Sequence, residues 1–149
     1  MGILVDQIDH AELTVPDRYE AASWYESVLG LKVLPEYAFW AEDPAGPLMI
    51  GTVHGGTKLA LFEGSPVGSK RTVGFHLIAF RVSGPVFRSF LTELDSLQLV
   101  DQNGQIVTKT DYRDHSSAFS IYFCDPWGHQ LEITTYDHHL VRNALDSNH

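Results

Sequence analysis

Apolar and polar residues alternate along IDHAELTV, residues 8–15, with Ala11, Leu13 and Val15 on one side and His10, Glu12 and Thr14 on the other. A period of two predicts a half-buried strand. At Pro16 and Asp17 the rhythm changes. Tyr19, Ala22, Trp24, Tyr25, Val28 and Leu29 recur at a spacing of about 3.6, and the run stops at Gly30, so a helix is expected. From Leu31 to Phe62 the chain returns to strand character in three runs, LKVLPEYAFW, LMIGTV and TKLALF, parted by the turn-rich EDPAGP and by HGG.

The segment EGSPVGSKRTVG reads as a linker. Beyond it the order repeats: FHLIAFRV as a strand, Pro85 to Leu97 as a helix with Val86, Phe90, Leu91, Leu94 and Leu97 inward, then QIVTKTDY, AFSIYF and HQLEITTY as strands. Two βαβββ modules therefore tile the chain, the first over about residues 6–63, the second over about 75–137, with a linker at 64–74 and a polar, solvated tail at 138–149. Two spacings support a duplication. His10 and His76 stand 66 residues apart in the leading strands, and GTKLA (56–60) and GHQLE (128–132) stand 72 apart in the closing strands. One half-module would leave a sheet face bare. The fold class expected is therefore α+β, a single domain over 1–149 in which two curved mixed sheets surround a shared cleft.

Composition narrows the function classes. Ten Lys and Arg against nineteen Asp and Glu give a net charge of -9, which repels nucleic acid and anionic membrane and favours a small-molecule partner. No apolar run is long enough to span a bilayer, the N-terminus lacks a basic signal region, and Cys124 has no cysteine to pair with. A cytoplasmic protein is expected, with Cys124 as a small buried side chain. Eight histidines are many for 149 residues, and imidazole is the commonest metal ligand and general base.

HAELTVPDRYEAASWYESVLGLKVL resembles the opening module of the vicinal oxygen chelate superfamily, which includes glyoxalases, bleomycin-resistance proteins, fosfomycin-resistance enzymes and extradiol dioxygenases. SIYFCDPWGHQLEI resembles its ending, a D-P-x-G hairpin turn followed by a Glu on the last strand. Carried over by position, the resemblance implies His10, His76 and Glu132 as ligands of one divalent metal. Alternation agrees, since His10 lies on the polar side of its strand, and Glu132 shares a side with Thr134 and Tyr136. Two imidazoles and a carboxylate suit Fe2+, Mn2+ or Zn2+ and leave positions for water and substrate. The first-module counterpart of Glu132 is Ala60, which has no donor atom. Unless Glu63 or His54 substitutes, the four-ligand glyoxalase I and epimerase activities lose support.

The three-ligand pattern favours an extradiol dioxygenase-like enzyme holding Fe2+. A fosfomycin-resistance-type transferase or hydrolase with Mn2+ is the first alternative. A metal-free protein that binds a cationic drug, as bleomycin-resistance proteins do, is the second. Tyr122, ten residues before Glu132, matches a tyrosine of both enzyme types and can donate to an oxyanion. Acid–base candidates are Glu12, two residues after His10, and His54, with His115 an outside candidate. His129 and the pair His138 and His139 read as surface. Phe39, Trp40, Phe80 and Tyr136 are the aromatic candidates for holding a planar substrate. Lys109, Arg113 and Arg142 are the only cations near the closing motifs, and a homodimer is expected from the resemblance.

Overall fold

In the computed structural model the described residues are 3–4, 7–65 and 77–147, and the chain divides into two compact units, residues 1–70 and 71–149. The first holds β1 (Ala11–Val15), α1 (Arg18–Leu29), β2 (Lys32–Val33), a 3-10 helix (Pro35–Glu42), β3 (Leu48–Gly51) and β4 (Lys58–Glu63). The second holds β5 (Ile78–Arg81), α2 (Gly84–Leu97), β6 (Arg113–Asp114), β7 (Phe119–Cys124), β8 (Gln130–Thr135) and α3 (His138–Asp146). Each unit forms one four-stranded mixed sheet, in the orders β1-β4-β3-β2 and β5-β8-β7-β6, so the leading strand lies parallel beside the closing one. The class is α+β, and neither sheet closes on itself.

Local chemistry sets the elements. Asp17 caps α1 by accepting from the Tyr19 and Glu20 amides at 2.9 Å, and Gly30 ends the helix with φ 67°. Ala21, Ala22 and Tyr25 are its buried apolar side, and Leu13, Val15, Ile50, Leu59 and Leu61 complete the core under that sheet. In the second unit Phe87, Phe90, Leu91 and Leu94 of α2 meet Phe119, Ile121, Phe123, Leu131 and Ile133. Phe87 takes the inward place expected of Val86, which is more than half exposed. The helix begins at Gly84, one residue earlier than expected, and Phe87 falls in line with Phe90, Leu91 and Leu94.

Three expected features change. LKVLPEYAFW is not a continuous strand: pairing stops at Val33, and Pro35 opens the 3-10 helix, tied at its start by Tyr37 N–H to the Leu34 carbonyl at 3.1 Å. QIVTKTDY is not a strand either. Among the described residues its one bridge is Ile106 to Val100, and a turn closed by the Thr108 amide on Asp111 at 2.7 Å interrupts it before β6. Finally, the polar tail is the helix α3, which buries Val141 completely. Gly84 permits its close approach: a Cβ there would stand 2.9 Å from Asp137 Cβ, and the Gly84 amide donates to the Asp137 carboxylate at 2.6 Å.

Candidate functional site

Each unit presents a separate group of polar side chains on the accessible face of its sheet. In the first unit β1 turns Leu13 and Val15 into the core and leaves Glu12 and Thr14 on the other side, with His10 just ahead of the strand. His10 is fixed from behind. Its Nδ1 hydrogen bonds Asp9 at 2.8 Å, and Asp9 in turn accepts from Lys58 Nζ at 2.8 Å. The Lys58 and His10 hydrogen bonds hold the Asp9 carboxyl below its ordinary pKa, and Asp9 raises that of Lys58. The His10 ring is 36 % exposed, and its Nε2 lies 3.6 Å from a Glu12 oxygen.

His10 and Glu12 line a cavity of about 460 Å³ with Phe39, Trp40, Asp43, Met49, Ala60 and Phe62. Register explains the floor of this cavity, because Glu12 pairs with Ala60 and Ala60 with Met49. The aromatic wall comes from the 3-10 helix. Trp40 stacks on Tyr37 at 4.8 Å, Phe39 meets Trp40 edge-on at 5.4 Å, and Phe39 and Trp40 keep 59 % and 40 % of their surface exposed. Phe39 and Trp40 thus reach the cavity from a helical turn, where a strand was expected.

Sequence reasoning missed the residue that holds this wall in place. Arg18 is buried, and its guanidinium donates to the carbonyls of Ala41 (2.7 Å), Asp43 (3.2 Å) and Gly46, with Glu63 3.8 Å away. A charged residue at the first position of an amphipathic helix gives no sequence signal of burial. His54 is exposed in the β3–β4 turn and lies outside the cavity of His10.

In the second unit the alternation of β8 is as expected: Leu131, Ile133 and Thr135 are buried, while Gln130, Glu132 and Thr134 are half-buried on the other face. Glu132 pairs with Tyr122 on one side and Ala79 on the other. Burial and then the Glu132 charge push the Tyr122 phenol above its ordinary pKa of 10.0, so it stays protonated at neutral pH. The Tyr122 hydroxyl is also 3.1 Å from His115 Nε2, a contact between residues seven apart that makes His115 a stronger acid–base candidate than His54.

One row further along the same face, Arg81 pairs with Thr134, Thr134 with Ser120, and Ser120 with Arg113. Ser120 Oγ donates to Thr134 Oγ1 at 3.0 Å in the middle of that row. Arg81, which the sequence reading passed over, also lies 5.5 Å above the ring of Tyr136. Tyr136 is therefore an exposed cover on Arg81 beyond the end of β8. Phe80 pairs with Ile133, so the pleat turns it to the face opposite Glu132 and away from the place expected for it.

Other histidines also differ from expectation. His129 is pinned to the buried Asp125 carboxylate at 2.6 Å inside the D-P-W-G turn. His138 stacks on Phe119 at 4.7 Å and hydrogen bonds Asp114 at 2.7 Å. Both are structural rather than free surface.

His76 lies outside the described residues. The 72-residue offset holds for the closing strands, Lys58–Glu63 and Gln130–Thr135. The leading strands differ. Ala11 pairs with Leu59 and Ile78 with Leu131, a 67-residue offset, so the residue at the register position of His10 is Leu77. Among the described residues no three of His, Cys, Asp and Glu gather as a metal-binding group.

Comparison with known proteins supplies the remaining findings. A family model described as the Glyoxalase/Bleomycin resistance protein/Dioxygenase superfamily matches residues 7–133. No curated protein matches the sequence. Among solved structures, the fosfomycin resistance protein FosX from Listeria monocytogenes is 14 % identical with a TM-score of 0.64, covering 93 % of this chain and 99 % of its own. The oxidase ChaP-H2 is 22 % identical with a TM-score of 0.63, over 89 % and 94 %. A virulence protein from Salmonella typhimurium is 26 % identical with a TM-score of 0.61, over 90 % and 99 %.

Proposed function

The chain belongs to the Glyoxalase/Bleomycin resistance protein/Dioxygenase superfamily, and on that premise we propose that it is a metal-dependent enzyme for a small substrate bearing two adjacent oxygens, with His10, His76 and Glu132 as ligands of one divalent ion. The observation that carries this reading is the Lys58–Asp9–His10 chain. A carboxylate on Nδ1 fixes the ring and the tautomer and leaves the Nε2 lone pair outward, the arrangement that metal-ligating histidines use. Glu132, half-buried and facing the sheet surface, supplies a hard oxygen donor of the kind that Fe2+, Mn2+ and Zn2+ accept. When bound, such an ion supplies Lewis acidity toward the substrate oxygens.

The chain's own residues then have distinct parts. Tyr122, kept protonated, donates to an oxygen that gains negative charge, and His115 replenishes or removes the proton at the phenol oxygen. Glu12 is placed to take a proton from a group lying in the His10 cavity, and Phe39, Trp40 and Phe62 face a planar substrate there. Within the class we favour oxidative ring cleavage with Fe2+, in line with the aromatic wall and the oxidase neighbour. Anaerobic Fe2+ loading followed by a panel of catechols under O2 tests it. A ring-fission chromophore is expected, and its absence across the panel removes the dioxygenase assignment.

Two observations favour other members of the set. The row Arg81–Thr134–Ser120–Arg113 provides the cations that a transferase or hydrolase acting on an anionic substrate needs, so a phosphonate should be included in the panel. Leu77 at the register position of His10, with Glu12 and Asp43 rimming an aromatic cavity, suits metal-free binding of an organic cation. Metal analysis separates that reading from both enzymes.

A further inference from the structure

A cavity of about 620 Å³ in the second unit, with neither Glu132 nor Tyr122 in its lining, lies between α2, α3 and the segment Lys109 to Tyr112. Its α2 wall is the stripe Pro85, Arg88, Ser89 and Thr92, at the i, i+3, i+4 and i+7 spacing of one helix side. Leu91, Tyr112, Ala144 and Leu145 make the rest of the lining largely apolar. A volume of this size falls within the roughly 300–1,000 Å³ that small-molecule sites occupy.

Charge gives the cavity its chemistry. Arg88 and Lys109 both line it, and among the described residues neither has a carboxylate partner, whereas Arg18, Lys32, Lys58 and Arg142 all do. Two acids next in sequence to lining residues are engaged elsewhere: Asp111 accepts from the Thr108 amide and hydroxyl, and Asp146 pairs with Arg142 at 3.8 Å. The same Thr108–Asp111 bonds fix the loop that carries Lys109, so that wall exists before any ligand arrives. On a chain of net charge -9, two cations without a carboxylate partner line one largely apolar cavity, whereas Arg81 and Arg113, which also lack one among the described residues, stand at the two ends of the row across the second sheet.

We propose that this cavity binds a small amphipathic anion, a carboxylate or sulfonate on an apolar body, with the headgroup between Arg88 and Lys109 and the body against Leu91, Ala144 and Leu145. The headgroup contacts are charge-assisted, and loss of each weakens binding about tenfold or more. The site is independent of the proposed metal chemistry.

Calorimetric titration of the full chain with dodecanoate, below its micelle threshold, tests this. Saturable binding of about one dodecanoate per chain is expected, with dodecanol and dodecyltrimethylammonium at least about tenfold weaker. The double variant Arg88→Glu with Lys109→Glu should lose most of the affinity, Leu145→Trp should fill the cavity, and the charge reversal Lys32→Glu in the first unit should leave dodecanoate binding unchanged. Circular dichroism checks that each variant folds, and because Arg88 and Lys109 are exposed, the charge reversal remains informative even if Leu145→Trp does not fold. The proposal is overturned by absent saturable binding, by equal binding of the neutral alcohol, by indifference to the charge reversal, or by sedimentation showing this face buried between two copies of the chain.

Discussion

Asp9 has no place in the sequence motif, yet it decides what His10 can do. With Nδ1 committed to Asp9, only Nε2 is left to face a ligand. Asp9→Asn keeps the shape and removes the carboxylate charge that fixes the ring and its tautomer. Metal affinity measured by Co2+ or Zn2+ titration should fall about 10- to 100-fold, the usual effect of losing such a partner. Tyr122 gives a second test at this scale. Its phenol should ionise later than an ordinary tyrosine in an ultraviolet titration, and Tyr122→Phe should remove that late step. Glu132→Gln should lower the midpoint without restoring it fully, because burial is the larger cause. The sign for stability follows. The folded state holds this proton more tightly than the unfolded chain, so its contribution is complete below pH 10 and stability is lost as pH rises from there toward the raised value.

Among the elements, the 3-10 helix depends most on a distant side chain. Arg18 serves carbonyls of Ala41, Asp43 and Gly46 that have no strand to pair with, and its removal leaves the buried Ala41 carbonyl unsatisfied beside Glu63. Arg18→Met should cost about 2–4 kcal/mol in urea unfolding. It should also raise amide exchange over 35–46 before the rest of the unit opens. The docking of α3 is testable in the same way. Gly84→Ala forces a methyl to within 2.9 Å of Asp137 Cβ, and a loss of about 1–3 kcal/mol is expected in the same measurement.

Local sequence signals specify these two elements least. Alternation located β1 and β8, and the Asp17 cap and Gly30 bounded α1, because each of those signals is local. Pro35 and the aromatic run after it satisfy a strand pattern and a 3-10 turn equally well. The bonds that hold the helical form come from Arg18, seventeen residues before Pro35 in the chain. Residues 138–149 carry the pattern of a polar tail because the partners that order α3, Phe119 of β7 and Asp114 of β6, are distant in sequence.

For the whole molecule, the sheet order shared by the two units is the organising fact, and the units differ in register. Closing strands keep the 72-residue offset, whereas the leading strands sit at 67 instead of the 66 that separates His10 from His76. The superfamily follows from the match over residues 7–133, and among the described residues no helix is long and apolar enough to cross a membrane. That single-residue difference makes His76 the sharpest point in the functional account. Its motif nominates it, while the strand beside Glu132 presents Leu77 at the corresponding place. Metal content of the full chain purified without chelator, compared with His10→Ala, His76→Ala and Glu132→Gln, addresses it most directly. About one divalent ion per chain is expected, and its loss in each variant. Absence of stoichiometric metal, or retention of it when His76 is replaced, would contradict the proposed ligand set.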